Sequence, residues 1–130
     1  MNMKPPAWIL PLVLAAALHA AAPAPLPADT RLLKGTLENT THAVSAPARF
    51  ELTFEGEAVR GFLTVEAPLK AGRFPVEGTK RGAWCEVICR YEDGTRTVFR
   101  GVIDDTGYRG TYVFGGGGQL VQYGRFETAR

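Results

Sequence analysis

Apolar and polar residues alternate along most of this chain with a period of two. Phe50, Leu52 and Phe54 are interleaved with Glu51, Thr53 and Glu55; Glu55-Gly56-Glu57 then reads as a turn, and Val59, Gly61, Leu63 and Val65 alternate with Arg60, Phe62 and Thr64. A period of two places one side of a segment in a core and the other in water, so each run predicts a half-buried β-strand and the pair predicts a hairpin. No window of a dozen residues carries a helical stripe. The same reading predicts strands at 31–38, 48–55, 58–66, 73–77, 83–91, 95–103, 108–114 and 119–127, joined mostly by tight turns.

One register can be argued from charge. Tyr91-Glu92-Asp93-Gly94-Thr95 allows a two-residue Asp-Gly turn or a three-residue turn with Gly94 left-handed. The two differ by one residue and so exchange the faces of the sheet. The two-residue turn brings Glu86 and Arg100 onto faces with apolar neighbours. The three-residue turn gathers Cys85, Val87, Cys89 and Tyr91 with Thr97, Phe99, Gly101 and Ile103, leaving Glu86, Arg90, Arg96 and Arg100 outside. Burying an unpaired charge is costly, which favours the second.

With that phase, a recurring triplet acquires a meaning. Leu33-Lys34-Gly35, Val59-Arg60-Gly61, Phe99-Arg100-Gly101 and Tyr108-Arg109-Gly110 each set a basic residue outward and a glycine inward, and Gly124 adds a fifth inward glycine. Glycine inside a strand marks a bend or a close backbone approach, and strongly coiled sheets use it so. The predicted fold is all-β: a strongly coiled antiparallel meander closing into a small eight-stranded up-and-down barrel. Closure would also remove exposed strand edges.

The strand pattern resembles the small secreted barrels of the calycin type, the lipocalin and avidin-like proteins. Gly35-Thr36-Leu37-Glu38-Asn39 is similar to the Gly-Thr-Trp-x-Asn opening strand of avidin-like proteins, with Leu37 in place of Trp and the strand's Asn falling on Asn39. It departs from the Gly-x-Trp opening of lipocalins. The other biotin-contacting residues have no match, so the resemblance implies architecture and not biotin binding.

The amino-terminal end changes the picture of compartment. Lys4, the apolar run Ala7–Leu18 and the small residues around Ala20–Ala22 read as a signal peptide at 1–22. The run is short for a membrane-spanning helix and contains Pro11. The expectation is a secreted or periplasmic protein of bacterial type with no membrane span after cleavage. A Pro/Ala-rich spacer at 23–30 and one domain at 31–130 follow. The whole chain has 15 basic and 13 acidic residues, well interspersed, which argues against a nucleic-acid partner. Asn39-Thr40-Thr41 also fits the N-glycosylation pattern.

Candidate chemistry is sparse. Cys85 and Cys89 would usually form a disulfide in an exported domain. Four residues apart in a regular strand, however, they lie about 13 Å apart, beyond the roughly 4.4–6.8 Å a bridge needs. A bent, bridged pair, two buried thiols and an interchain pair all remain open. His42 and Ser45 lie in an expected loop and carry no catalytic pattern, and neither a metal site nor a cofactor is expected. Asp104-Asp105-Thr106-Gly107 reads as a hairpin turn with Gly107 left-handed, and Gly115–Gly118 as a flexible loop at the barrel mouth, with no helix after it to make a phosphate site.

The inward face, with Phe74, Phe114, Leu120 and Phe126 among its expected apolar members, is therefore the place for function. Its expected ligand-binding set is Tyr91, Thr97, Phe99, Tyr108, Tyr112 and Gln122. Apolar walls with a few hydroxyl and amide groups suit a small apolar or amphipathic molecule. Phe62 and Trp84 fall outside and are the candidate surface for another envelope protein. The sequence reading is a non-enzymatic binder, with a protein-interaction module as the alternative, such as an inhibitor of a secreted enzyme.

Overall fold

A computed structural model describes residues 29–130. The signal peptide at 1–22 and the spacer through residue 28 lie outside the described residues. The described chain forms eight strands: β1 Thr30–Asn39, β2 Val44–Glu55, β3 Ala58–Val65, β4 Gly72–Arg81, β5 Trp84–Arg90, β6 Thr95–Ile103, β7 Gly107–Gly116 and β8 Gln119–Ala129. Each pairs antiparallel with the next, and β8 returns to β1 with Leu37 opposite Phe126 and Asn39 opposite Gly124. The result is a closed up-and-down barrel, an architecture compatible with the calycin type.

The charge argument selects the register that is observed. Cys89 faces Thr97, Val87 faces Phe99 and Cys85 faces Gly101. The three-residue turn is closed by the Tyr91 N–H donating to the Thr95 carbonyl at 2.9 Å, with Gly94 at φ +88°. Lys34, Arg60, Arg100 and Arg109 are all exposed. The inward glycines serve close approach: at Gly35, Gly61, Gly101 and Gly110 a Cβ would collide with backbone atoms of the facing strand, and Gly101 and Gly110 face each other.

Several expectations are corrected. β2 begins at Val44, so Ser45, Ala46 and Pro47 lie in a strand and not a loop. Proline is accommodated there because β3 is ending: the last β2–β3 pair is Ala48 with Val65, and the Pro47 carbonyl accepts the Glu66 N–H at 3.0 Å. β4 runs to Arg81 and not to residue 77, since Gly78 is another inward glycine packed on Glu86. Gly107 is not left-handed; it sits where a Cβ would strike the Thr128 carbonyl. Leu120, expected inward, is 87 % exposed, because the β7–β8 hairpin carries it beyond the wall.

The cysteine alternatives resolve as two buried free thiols on the inner face of β5; the disulfide between Cys85 and Cys89 is not formed. β5 stays a regular strand, so the two residues never approach.

Hairpin connectivity gives the barrel two different ends. The turns after β2, β4 and β6 gather at one end with Thr30, and the loops after β1, β3, β5 and β7 gather at the other. Aromatic rings fill the interior toward the first end. Tyr108 and Phe126 have centroids 4.6 Å apart, Phe50 and Phe99 5.2 Å, and Phe99 and Phe126 5.3 Å, in edge or tilted arrangements favoured by ring quadrupoles. Arg31 covers that end: its guanidinium lies 4.8 Å from the Phe54 ring centroid and donates to the Asp104 carbonyl at 3.2 Å. This end of the barrel is a packed plug.

Candidate functional site

Above the plug, at the end bearing the loops after β1, β3, β5 and β7, the interior opens into a cavity of about 240 Å³. Leu37, Val65, Leu69, Phe99 and Phe114 supply apolar wall, and Asn39, Lys70, Tyr91, Thr97, Tyr112 and Gln122 supply polar groups. The alternation of each strand explains the mixture. Inward positions that are aromatic or aliphatic lower in the barrel become amide or hydroxyl at the mouth, as in Leu33, Leu37 and Asn39 along β1 or Phe126 and Gln122 along β8. A wider depression of about 450 Å³ lies across the outer wall of β3 to β5, ringed by Glu55, Arg60, Glu77 and Glu86. It lacks the enclosing walls that a ligand pocket uses.

Two polar groupings face the cavity from different walls. On β1 and β8, the His42 backbone N–H donates to Asn39 Oδ1 at 3.0 Å, and Asn39 Nδ2 donates to Gln122 Oε1 at 2.6 Å. Across the barrel, the Tyr91 and Thr97 hydroxyls share a hydrogen bond of 2.8 Å. Burial, and then the nearby Glu38 charge, push the Tyr112 phenol up to about 12. Burial likewise raises the Tyr91 phenol, with the Thr97 hydrogen bond opposing it. Both hydroxyls therefore keep their protons at neutral pH.

The wall beside Tyr91 is closed by side chains in place of backbone. The β4–β5 ladder stops at Val76 with Cys89, so Gly72–Pro75 pair with β3 but have no partner on β5. Phe74 fills the gap with its ring edge-on to Tyr91, centroids 5.0 Å apart. Lys70, from the loop between β3 and β4, lies with Nζ 4.7 Å from the Tyr91 ring centroid and 3.5 Å from Asp93 Oδ2. Asp93 is held by its own turn, accepting from the Thr95 N–H at 3.0 Å and from the Thr95 hydroxyl. These bonds, the Thr95 side chain first, depress its carboxyl below the ordinary value.

Of the ligand-binding set expected from sequence, the fold brings Tyr91, Thr97, Phe99, Tyr112 and Gln122 to one cavity. Tyr108 is corrected: it belongs to the plug, where its hydroxyl donates to the Cys85 carbonyl at 3.0 Å and the Phe99 carbonyl at 3.3 Å. Sequence reasoning missed Asn39 and Lys70 as cavity residues. Asn39 was legible, since it continues the inward alternation of Leu33 and Leu37; Lys70 sits in a loop with no periodicity to announce it.

The outer-face pair separates. Trp84 is 53 % exposed at the start of β5, whereas Phe62 is half-buried under Arg73, whose guanidinium lies 3.6 Å from its ring centroid. Phe62 and Trp84 therefore form no common surface. Another outer feature does: Ile88, Val98, Val113 and Tyr123 stand opposite one another in register across β5 to β8. Ion pairs border this apolar row, Arg100 with Glu86 at 2.7 Å, Arg125 with Glu38 at 2.6 Å and Arg90 with Glu77 at 2.5 Å.

Compared with protein-family models, curated proteins and solved structures, the chain matches none.

Proposed function

We propose that this protein is an exported, non-enzymatic binder that holds one small amphipathic molecule at the open end of a calycin-like barrel. The observation that carries the reading is the cavity of about 240 Å³, walled by apolar side chains, bounded below by an aromatic plug and furnished with hydroxyl and amide groups. That combination is how small-molecule sites are ordinarily built, and the volume lies below the roughly 300–1,000 Å³ of drug-sized pockets, favouring a compact ligand. Amides, hydroxyls and one lysine suit binding better than bond-making, which asks for a nucleophile beside an activating base. The signal-peptide pattern at 1–22 and the spacer at 23–30 support a periplasmic or secreted site of action.

Ligand-detected NMR with a panel of small amphipathic metabolites tests this reading, alongside native mass spectrometry of freshly purified protein. Saturable binding that is lost in Leu37→Phe, which grows into the cavity, is the expected result. A panel with no saturable member, or binding indifferent to Leu37→Phe, overturns it.

A second reading, interaction with another envelope protein, is favoured by the apolar row on the outer wall. Tyr123 is 58 % exposed at its end, and apolar patches rimmed by charge commonly mark partner surfaces. Under this reading Val113→Asp abolishes capture of a specific partner while leaving ligand uptake intact. Equal capture by Val113→Asp and the natural protein would count against it.

A further inference from the structure

The hydrogen-bond inventory of the cavity narrows what it accepts. Amide side chains are often ambiguous by a flip, but here a backbone N–H fixes the assignment. The His42 N–H can only donate, so the atom it meets is Asn39 Oδ1. Asn39 therefore presents Nδ2 to Gln122, and the Gln122 atom that receives it is Oε1. Both amide oxygens already accept a hydrogen bond, and the Gln122 Nε2 group has no partner among the described residues. The Tyr112 hydroxyl is likewise unpartnered among the described residues, on a residue only 6 % exposed. Tyr112 is buried and Gln122 half-buried at the open mouth, where water reaches these groups, so a ligand that displaces that water must offer them a complementary partner.

The unspent groups are predominantly donors. Gln122 Nε2 offers two hydrogens, Asn39 Nδ2 one more, and the Tyr112 hydroxyl another. Among the described residues, the only cation lining the cavity is Lys70, and no carboxylate lines it. We infer that the ligand carries a planar carbonyl-type acceptor, a carboxylate or an amide, seated on Gln122 and Tyr112 with an apolar body against Phe99 and Leu37. Phosphate-bearing ligands fit less well, for they favour arginine forks and several positive charges, and the single lysine here is already partnered by Asp93.

This inference rests on the cavity reading, and the experiment separates the two. Four probes of one shape are titrated into the purified protein by NMR: phenylacetate, phenylacetamide, ethylbenzene and 2-phenylethylamine. Phenylacetate and phenylacetamide are expected to bind more tightly than the other two, and their comparison reports what Lys70 adds for a charged acceptor. Tyr112→Phe should weaken the carbonyl probes roughly three- to tenfold, the worth of one hydrogen bond, with ethylbenzene unchanged. Gln122→Glu keeps the side chain's shape and the oxygen that Asn39 needs while replacing the donor, so it should reject phenylacetate and admit the amine. Thermal unfolding verifies that each variant is folded. If ethylbenzene or the amine binds the natural protein as tightly as the carbonyl probes, the acceptor inference is overturned and the cavity reading stands. If no probe binds, both fall.

Discussion

The ring of Tyr112 occupies the space that a side chain at residue 124 would need. A Cβ on Gly124 would overlap Tyr112 Cζ and also press on the Glu38 carbonyl. The two residues are paired across β7 and β8, so the glycine is the seat on which a cavity-lining tyrosine rests.

Gly124→Ala should therefore do two things at once. Overpacking of this kind costs about 1–3 kcal/mol, and Tyr112 must swing into the cavity or out of the wall. Urea unfolding should show the loss of stability, and probe titration a parallel loss of ligand uptake. A variant as stable and as active in binding as the natural protein would contradict the packing described.

Two tyrosines on the same inward face of β7 should respond in opposite ways to loss of a hydroxyl. Tyr108→Phe removes hydrogen bonds to the Cys85 and Phe99 carbonyls in the plug, costing about 1 kcal/mol of stability with no change in ligand affinity. Tyr112→Phe removes a hydroxyl that has no partner among the described residues, so it should leave stability unchanged and weaken ligand uptake. Paired denaturation and binding curves check both halves.

The cysteines predict a chemical and a pH behaviour. Cys85 and Cys89 should resist a thiol reagent in the native protein and react fully once unfolded, with the intact mass showing no oxidation to a disulfide. Burial pushes the Cys85 thiol up from 9.0 to about 11, and the Tyr112 phenol from 10.0 to about 12. Above pH 9 the unfolded chain releases these protons first, so it binds fewer than the folded chain and stability falls as pH rises. The contribution is whole below about pH 9 and is lost progressively toward pH 12. Urea midpoints measured from neutral to alkaline pH should decline across that window.

Upper β4 should be the least protected part of the wall. Amides of Arg73 and Phe74 lie where β4 has no β5 neighbour, whereas Val76–Thr79 are paired on both sides. Native-state hydrogen exchange should be faster at 73–74 than at 76–79, since local stability follows the backbone bonds and apolar contacts that hold a segment. Tyr91→Ala, which removes the ring beneath Phe74 and Lys70, should widen the difference. Uniform protection along β4 would argue that the seam is held by something other than these side chains.

The sequence carried much of this because a period of two is a local property. Phe50, Leu52 and Phe54 had to share a face whatever they met, and the charges of Glu86 and Arg100 excluded one of two registers at Gly94. The inward glycines announced close approach, since a residue without a Cβ gains nothing from a strand interior unless another backbone needs the room. The same alternation overreached at Leu120, where parity said inward but the hairpin had already left the wall. It also gave no depth: Tyr108 and Tyr112 share a face, and nothing local tells which one meets the plug.

By itself, then, the sequence determined the all-β meander, the phase of its strands and the inward placement of Tyr91, Thr97, Phe99, Tyr112 and Gln122, because strand geometry converts spacing directly into facing. Only the tertiary structure decided that β8 closes on β1, that Tyr108 is spent on the plug, that the cysteines stay apart, and that Asn39 turns Gln122 so that its donors are left over. Those outcomes depend on contacts between residues tens of positions apart, where the order of packing across the barrel, and not the pattern along the chain, fixes which polar groups remain free.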